Sequence, residues 1–300
     1  MTKYNIVSVG EVLWDILPEQ ELPGGAPMNA AYHLQKLQQQ VAMVSKVGRD
    51  DHGGRLLQLM QRMQLSTSFI QVDETYSTGK VNAWMNENND MQYEILYPVA
   101  WDHISWNREL EDLFRSGDLQ YMIFGSLMVR HDITRRTLER ALQSDVQKVL
   151  DINLRAPFYS HETLEWLMNS CDLLKLNGAE LELISSWYGS FASHEERIQE
   201  LSLRFNIPTV LVTLGGDGCI GYINGQFHYR QGIAVKVADT IGSGDAFLAG
   251  FLASRINGGT AEYSLTFANA LGALVASKPG GCPEYDITEI TALVKAPLHC

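Results

Sequence analysis

Short β-rich runs that stop at a glycine or asparagine, each giving way to a helical segment, restrict this chain's fold more than any other feature. YNIVSVG ends in Gly10 and VAMVSKVG in Gly48, and PMNAAYHLQKL between them has helical character. After DDHGG, Leu56, Leu59, Met60 and Met63 recur at helical spacing. KVLDINL, DLLKLN and TVLVTL continue the β series, again separated by helical stretches. Such a rhythm predicts βαβ units in a three-layer α/β/α arrangement with a mainly parallel central sheet. Apolar residues make up 45% and charged residues 19%, enough for a sizeable core and too apolar for a disordered chain.

One region breaks the rhythm. STGKVNAWMNENNDMQYEILY, from Ser77 to Tyr97, reads as two strands around the turn-former Asn88-Asn89-Asp90. A hairpin inside an α/β chain either pairs at the edge of the main sheet or leaves it as a small β lid, joined by residues around Trp14 to Leu22. The expected organisation is one α/β domain over residues 1–300, with a lid built from about 12–24 and 77–100.

The formal charge of −12 argues against nucleic-acid or anionic-membrane partners. Cys171, Cys219, Cys282 and Cys300 show no paired-ligand spacing and read as reduced thiols. The amino terminus reads as a first strand rather than a signal peptide, and no run approaches membrane-span length. The expected setting is cytoplasmic.

DTIGSGDAFLAG, Asp239 to Gly250, joins two opposed tendencies. A glycine turn entering a helix exposes unpaired N–H groups and a positive dipole end, which suits an anion. Asp245 nevertheless sits at that entrance, and AFLAGFLASRI after it is apolar on nearly every side, so the helix is expected to be buried. A tight chain reversal is the plain alternative, but a carboxylate at a buried helix start is costly without a partner or a task. The two features fit together if N–H groups from Gly242 to Asp245 hold a phosphoryl group while Asp245 takes the proton of an attacking hydroxyl.

GGAPMNAAY, from Gly24, is a second glycine turn at a helix start, from which Asn29 would offer a donor and an acceptor to a polyol; an ordinary loop-to-helix junction is the alternative. GGDGCIG carries the G-x-G-x-x-G spacing of a dinucleotide site, but CIGYINGQFHY continues as β structure, which rejects a dehydrogenase.

Together these motifs resemble the PfkB carbohydrate kinase family, with its ribokinase-like fold. DTIGSGDAF matches the family's D-T-x-G-[AS]-G-D signature, and GGAPMNAAYHLQKL with VSKVGRDDHGGRLL matches its amino-terminal region. DINLRAPFY, LLKLNGAELELI and VTLGGDGCIGY fall in the family's order, so the resemblance spans nearly the whole chain. It implies that Asp245 is the catalytic base and that Gly242, Ser243 and Gly244 form the anion hole. It implies that Asn177 and Glu180 organise Mg²⁺ near the phosphates of ATP, largely through water, with Thr213, Gly215, Gly218 and Asn269 around the nucleotide. On the sugar side it implies Asp15, Gly25, Asn29 and Arg155, and beside the anion hole a K⁺ held by Asp239, Ile241, Ala276 and Gly281.

Each position also has a structural alternative. Asn177 could end a strand, Glu180 could lie on a solvated helix face, Thr213 could be a plain strand residue, and Asn269 could be a core amide. Asp239 could brace the turn, and Arg155 could form a surface salt bridge. GEVLWDILP and DINLR are more like fructokinases than ribokinases, although APFYS replaces the Trp-ending run usual there. The resemblance thus implies an ATP-dependent kinase for a free sugar, fructose before 2-keto-3-deoxygluconate or ribose. A non-catalytic sugar- or nucleotide-binding sensor is the competing class. Lid strands of two copies could pair into a homodimer.

Overall fold

A computed structural model describes residues 3–85 and 91–295. The turn expected at Asn88-Asn89-Asp90 and the thiol of Cys300 lie outside the described residues.

The large sheet starts from β1 (Ile6–Val9), whose side chains alternate between two cores: Ile6 joins the cluster on one face and Val7 and Val9 that on the other. β4 (Val41–Gly48) and β8 (Tyr121–Gly125) alternate in the same way. Strands apolar on both faces belong in a parallel sheet covered twice by helices.

The connections bear this out. After β1 the chain makes β2 (Leu13–Ile16), β3 (Glu21–Gly24) and helix α1 (Ala26–Lys36) before β4. It continues through α2 (Asp51–Arg62), β5 (Ile70–Asp73), β6 (Gly79–Met85), β7 (Met91–Ile95) and α3 (Arg108–Arg115) to β8. Then follow α4 (Asp132–Ala141), β9 (Gln147–Asp151), α5 (His161–Met168), β10 (Leu173–Asn177), α6 (Gly178–Ser186), α7 (His194–Phe205) and β11 (Thr209–Thr213). β12 (Cys219–Ile223), β13 (Gln226–Arg230), α8 (Ser243–Ile256), α9 (Ala261–Ala276) and α10 (Ile287–Lys295) complete the chain.

The sheet order is β13-β12-β11-β10-β9-β8-β1-β4-β5, parallel from β11 across to β5 and antiparallel at β12 and β13. From β1 the strand order runs outward both ways, so the switch point lies between β1 and β8. Ligands of open α/β sheets bind at such a point, beyond the carboxyl ends of the strands.

The second sheet has the order β3-β2-β6-β7, antiparallel except for β2 against β6. This is the excursion expected from the sequence, a separate small sheet rather than an edge hairpin. β12 and β13 form a hairpin where a dinucleotide-binding fold needs a helix, in line with the rejection of that reading.

α8 is buried from Asp245 through Ser254, as its all-round apolar character predicts. It packs on α9 at close range, because a side chain on Gly250 would meet the Ala268 backbone at 3.1 Å. Among the described residues no helix is long and apolar enough to cross a membrane.

Candidate active site

The turn before α8 depends on Gly242, whose φ of 74° lies in the left-handed region. A Cβ there would approach the Gly281 backbone at 2.6 Å, so two loops touch where only glycine fits. The first helical bond runs from Ala246 N–H to the Gly242 carbonyl, 2.8 Å. The amides of Gly244 and Asp245 therefore belong to the first turn, which has no intrahelical acceptors for its donors.

Asp245 in that turn is 8% exposed, and Oδ2 accepts a hydrogen bond from Asn29 Nδ2 at 2.8 Å. Its pKa rises from 3.8 to about 6, first through burial and then through the nearby Asp151 carboxylate. Lys175, the Asn29 hydrogen bond and Arg155 hold it down. Lys175 is itself buried and its Nζ pairs with Asp151 Oδ1 at 2.9 Å and Oδ2 at 3.1 Å. A Cβ on Gly244 would come within 2.9 Å of that Nζ, so the cation lies directly against the turn. Burial works against its charge, but Asp151, Asp245 and Glu180 outweigh it and the net shift is upward.

On one side of the turn is a cleft of about 280 Å³ lined by Thr213, Gly215, Gly218, Asn269, Ser243 and Gly244, among others. The expected nucleotide residues are thus brought together with the turn. Asn269 is half-buried rather than a core amide, and its Nδ2 donates to the Gln231 carbonyl at 2.8 Å. Gly218 has φ 102°, and a side chain there would collide with the Arg230 carbonyl.

Asn177 and Glu180 form a reciprocal cap on α6: Asn177 Oδ1 accepts the Glu180 N–H at 2.9 Å, and Glu180 Oε2 accepts the Asn177 N–H at 2.8 Å. Glu180 Oε1 takes the Leu154 N–H, and the residue is 7% exposed, so it is no solvated helix face. Both oxygens already serve backbone donors. Among the described residues no group of three or more His, Cys, Asp or Glu is placed to hold a metal directly. This donor set fits a hydrated Mg²⁺ that keeps its waters and reaches the protein through them.

On the other side, Asp15 in β2 lies against Gly24, where a Cβ would run into its carboxylate. Burial raises its pKa to about 6, while Arg155 lowers it and Asp239 raises it. Gly25, with φ 110°, caps α1 against the Glu11 backbone and leaves Asn29 in the first turn. Arg155 is exposed on the loop after β9, and its Nη1 donates to the Leu154 carbonyl at 3.4 Å. It lines a cleft of about 550 Å³ with Tyr93, Tyr97 and Phe158, between the small sheet and that loop.

Asp239 is tied at both oxygens, Oδ1 to the Ile241 N–H at 3.0 Å and Oδ2 to the Gly280 N–H at 3.1 Å. The Ala276 carbonyl beside it accepts from the N–H groups of Ala238 and Asp239. The Gly281 carbonyl takes His33 Nε2 at 2.9 Å. These bonds brace the turn through Asp239, as its structural alternative had it.

The sequence reading assigned no role to Glu11, Asp151 or Lys175. Asp151 and Lys175 are register partners on β9 and β10, and the signal was an acid in one apolar run and a base in the next.

Solved structures share this fold. Fructokinase from Vibrio cholerae O395, in its fructose, ADP and calcium ion bound form, superposes with a TM-score of 0.81 at 22% identity, over 98% of this chain and 99% of that one. Aminoimidazole riboside kinase from Salmonella enterica, complexed with aminoimidazole riboside and an ATP analog, gives 0.80 at 20%, over 97% and 100%. Fructokinase-2 of Solanum lycopersicum is 27% identical over an alignment 308 positions long, covering 93% of this chain and 92% of its own. Residues 10–287 match the pfkB family of carbohydrate kinases, and the chain belongs to that family. It is a sugar kinase with a ribokinase-like fold.

Proposed function

We propose that this chain transfers the γ-phosphoryl group of ATP to the primary hydroxyl of free fructose, giving fructose 6-phosphate, with Asp245 as general base. The observation that carries the reading is the buried Asp245 carboxylate at the first turn of α8, beside first-turn amides and held by Asn29. A carboxyl poised near pH 6 is ionised at neutral pH yet basic enough to accept a proton in the transition state.

The amides of Gly244 and Asp245, in the Gly242-Ser243-Gly244 turn, receive the oxygens of the transferring group. Asp245 Oδ1 faces the acceptor and takes its proton, while Asn29 fixes Oδ2. Lys175, balanced by Asp151, adds positive charge behind the turn. Asp15, Gly25 and Arg155 border the acceptor, and Thr213, Gly215, Gly218 and Asn269 border the nucleotide. Asn177 and Glu180 are the residues that would hold a nucleotide-bound Mg²⁺, which would supply charge neutralisation on the phosphates. A K⁺ at Asp239, Ile241, Ala276 and Gly281 is implied by the family resemblance alone and enters no step here. We read residues 1–300 as one cytoplasmic α/β domain whose small sheet closes as a lid, excluding water, and whose lid strands could join two copies.

A coupled ADP-release assay with fructose, ribose, 2-keto-3-deoxygluconate and adenosine tests the reading. Fructose is expected to give the highest kcat/KM, and no turnover with any acceptor contradicts it. A 2-keto-3-deoxygluconate kinase is the second reading, favoured by the exposed Arg155 guanidinium, which suits a sugar carboxylate.

A further inference from the structure

Glu11 lies between β1 and β2 and is 4% exposed. Its Oε2 has no hydrogen-bond partner among the described residues. Buried polar groups are nearly always paired, and an unpaired carboxylate oxygen is a costly exception that asks for an explanation. Its own N–H and that of Ala26, the first residue of α1, lie close enough to favour the charged form. Burial still dominates and pushes the carboxyl up to about 7.

The surroundings show what the free oxygen can receive. Glu11 lines a crevice with Ala26, Pro27, Ser126, Asp151 and Asn153, at the carboxyl ends of β1, β8 and β9. This is the switch point of the sheet, where ligands of such folds bind. The room there is about 10 Å³, the space of one water-sized group. Glu11 and Asp151 together disfavour an anion. Asp245 and Arg155 both lie close enough to act on the Glu11 charge, and Asp151, which acts on Asp245, lines the crevice, so the crevice lies near the candidate base. A small neutral donor is what fits, and a polyol carries several.

We propose that Glu11 is a specificity-determining residue whose free oxygen accepts a hydrogen bond from one acceptor hydroxyl, other than the one phosphorylated. This rests on the sugar-kinase reading above. It assigns to this crevice a hydroxyl and not a carboxylate or phosphate, and it leaves no space for a larger substituent at that carbon.

The test measures kcat/KM for fructose and for a set of monodeoxyfructoses, each lacking one hydroxyl, with the wild-type protein and with Glu11→Gln. Gln has nearly the size and shape of Glu but carries no charge, so the charged acceptor is lost with little change of shape. One deoxy analogue is expected to lose about 10-fold or more with wild type, the scale of a hydrogen bond to a charged group. With Glu11→Gln that penalty should shrink to about 3-fold or less, while penalties at the other hydroxyls stay as they were. Identical penalties in both proteins, with wild-type turnover intact, overturn the Glu11 proposal alone. Absence of turnover with every sugar overturns the kinase reading instead. If wild type prefers another sugar, the deoxy analogues of that sugar take the place of the fructose set. Should Glu11→Gln unfold or lose ATP binding, Glu11→Asp, which keeps the charge but withdraws it by one methylene, gives the same comparison.

Discussion

Asn29 Nδ2 donates to Asp245 Oδ2 at 2.8 Å, joining the first turns of α1 and α8 across 216 residues. Both helices begin at glycines with positive φ, so the two capping turns meet and bring a donor to a buried carboxylate. The bond favours the ionised form of Asp245 and aims its other oxygen away from Asn29. Asn29→Ala should lower kcat/KM by about tenfold or more, the scale of a hydrogen bond to a charge. It should also move the acid limb of the kcat profile to higher pH. A pH–rate profile with an unmoved limb would remove Asn29 from that role.

Lys175 and Asp151 bury one charge each, at 6% and 5% exposure. Removing one partner leaves the other charge unpaired next to Asp245. Lys175→Met should therefore destabilise the fold by about 3–5 kcal/mol, whereas the double change Lys175→Met with Asp151→Asn should recover most of that loss. Urea unfolding of the three proteins measures the difference. Equal losses for the single and double variants would mean that packing, not charge, decides stability there.

What the sequence revealed and what it hid follow from the range of the interactions. The βαβ rhythm, the separate small sheet and the buried α8 are legible because periodicity and turn residues act over a few neighbours. The Asn177-x-x-Glu180 spacing is a capping box, a local signal that could have moved Glu180 from a solvated face to a cap. Convergence is a different matter. Glu11, Asp151, Lys175 and Asp245 come from four separate stretches of the chain, and nothing local to any one of them shows that they share a site.

Gly218 tests the nucleotide side separately. Its φ of 102° and the Arg230 carbonyl at its Cβ position leave no place for a side chain. Gly218→Ala should raise the KM for ATP at least about tenfold, given 1–2 kcal/mol of left-handed strain plus the clash. The KM for fructose should change far less. Initial-rate kinetics with each substrate varied in turn separates the two effects, and equal changes in both would count against a local role.

Asp245 also makes stability depend on pH in a definite direction. Its pKa is raised from 3.8 to about 6 on folding, so the folded protein binds more protons than the unfolded chain between those values. Stability from this group therefore falls as pH rises through that window. Glu11 and Asp15, raised to about 7 and about 6, act the same way. Asp245→Asn should raise Tm at pH 8, and the gain should fade as pH falls from about 6 to about 4. Thermal unfolding across pH measures it, and a variant less stable than wild type at pH 8 would show that the carboxylate is favourably bound.

The same substitution gives the most direct measurement of the central claim, that Asp245 takes the acceptor's proton during phosphoryl transfer. Asn keeps the shape and the contact to Asn29 but accepts no proton. Steady-state turnover of Asp245→Asn with fructose and ATP should fall by at least about 100-fold, the scale of general-base loss, while both ligands bind with affinities close to wild type by calorimetry. Turnover within a few-fold of wild type would contradict the account.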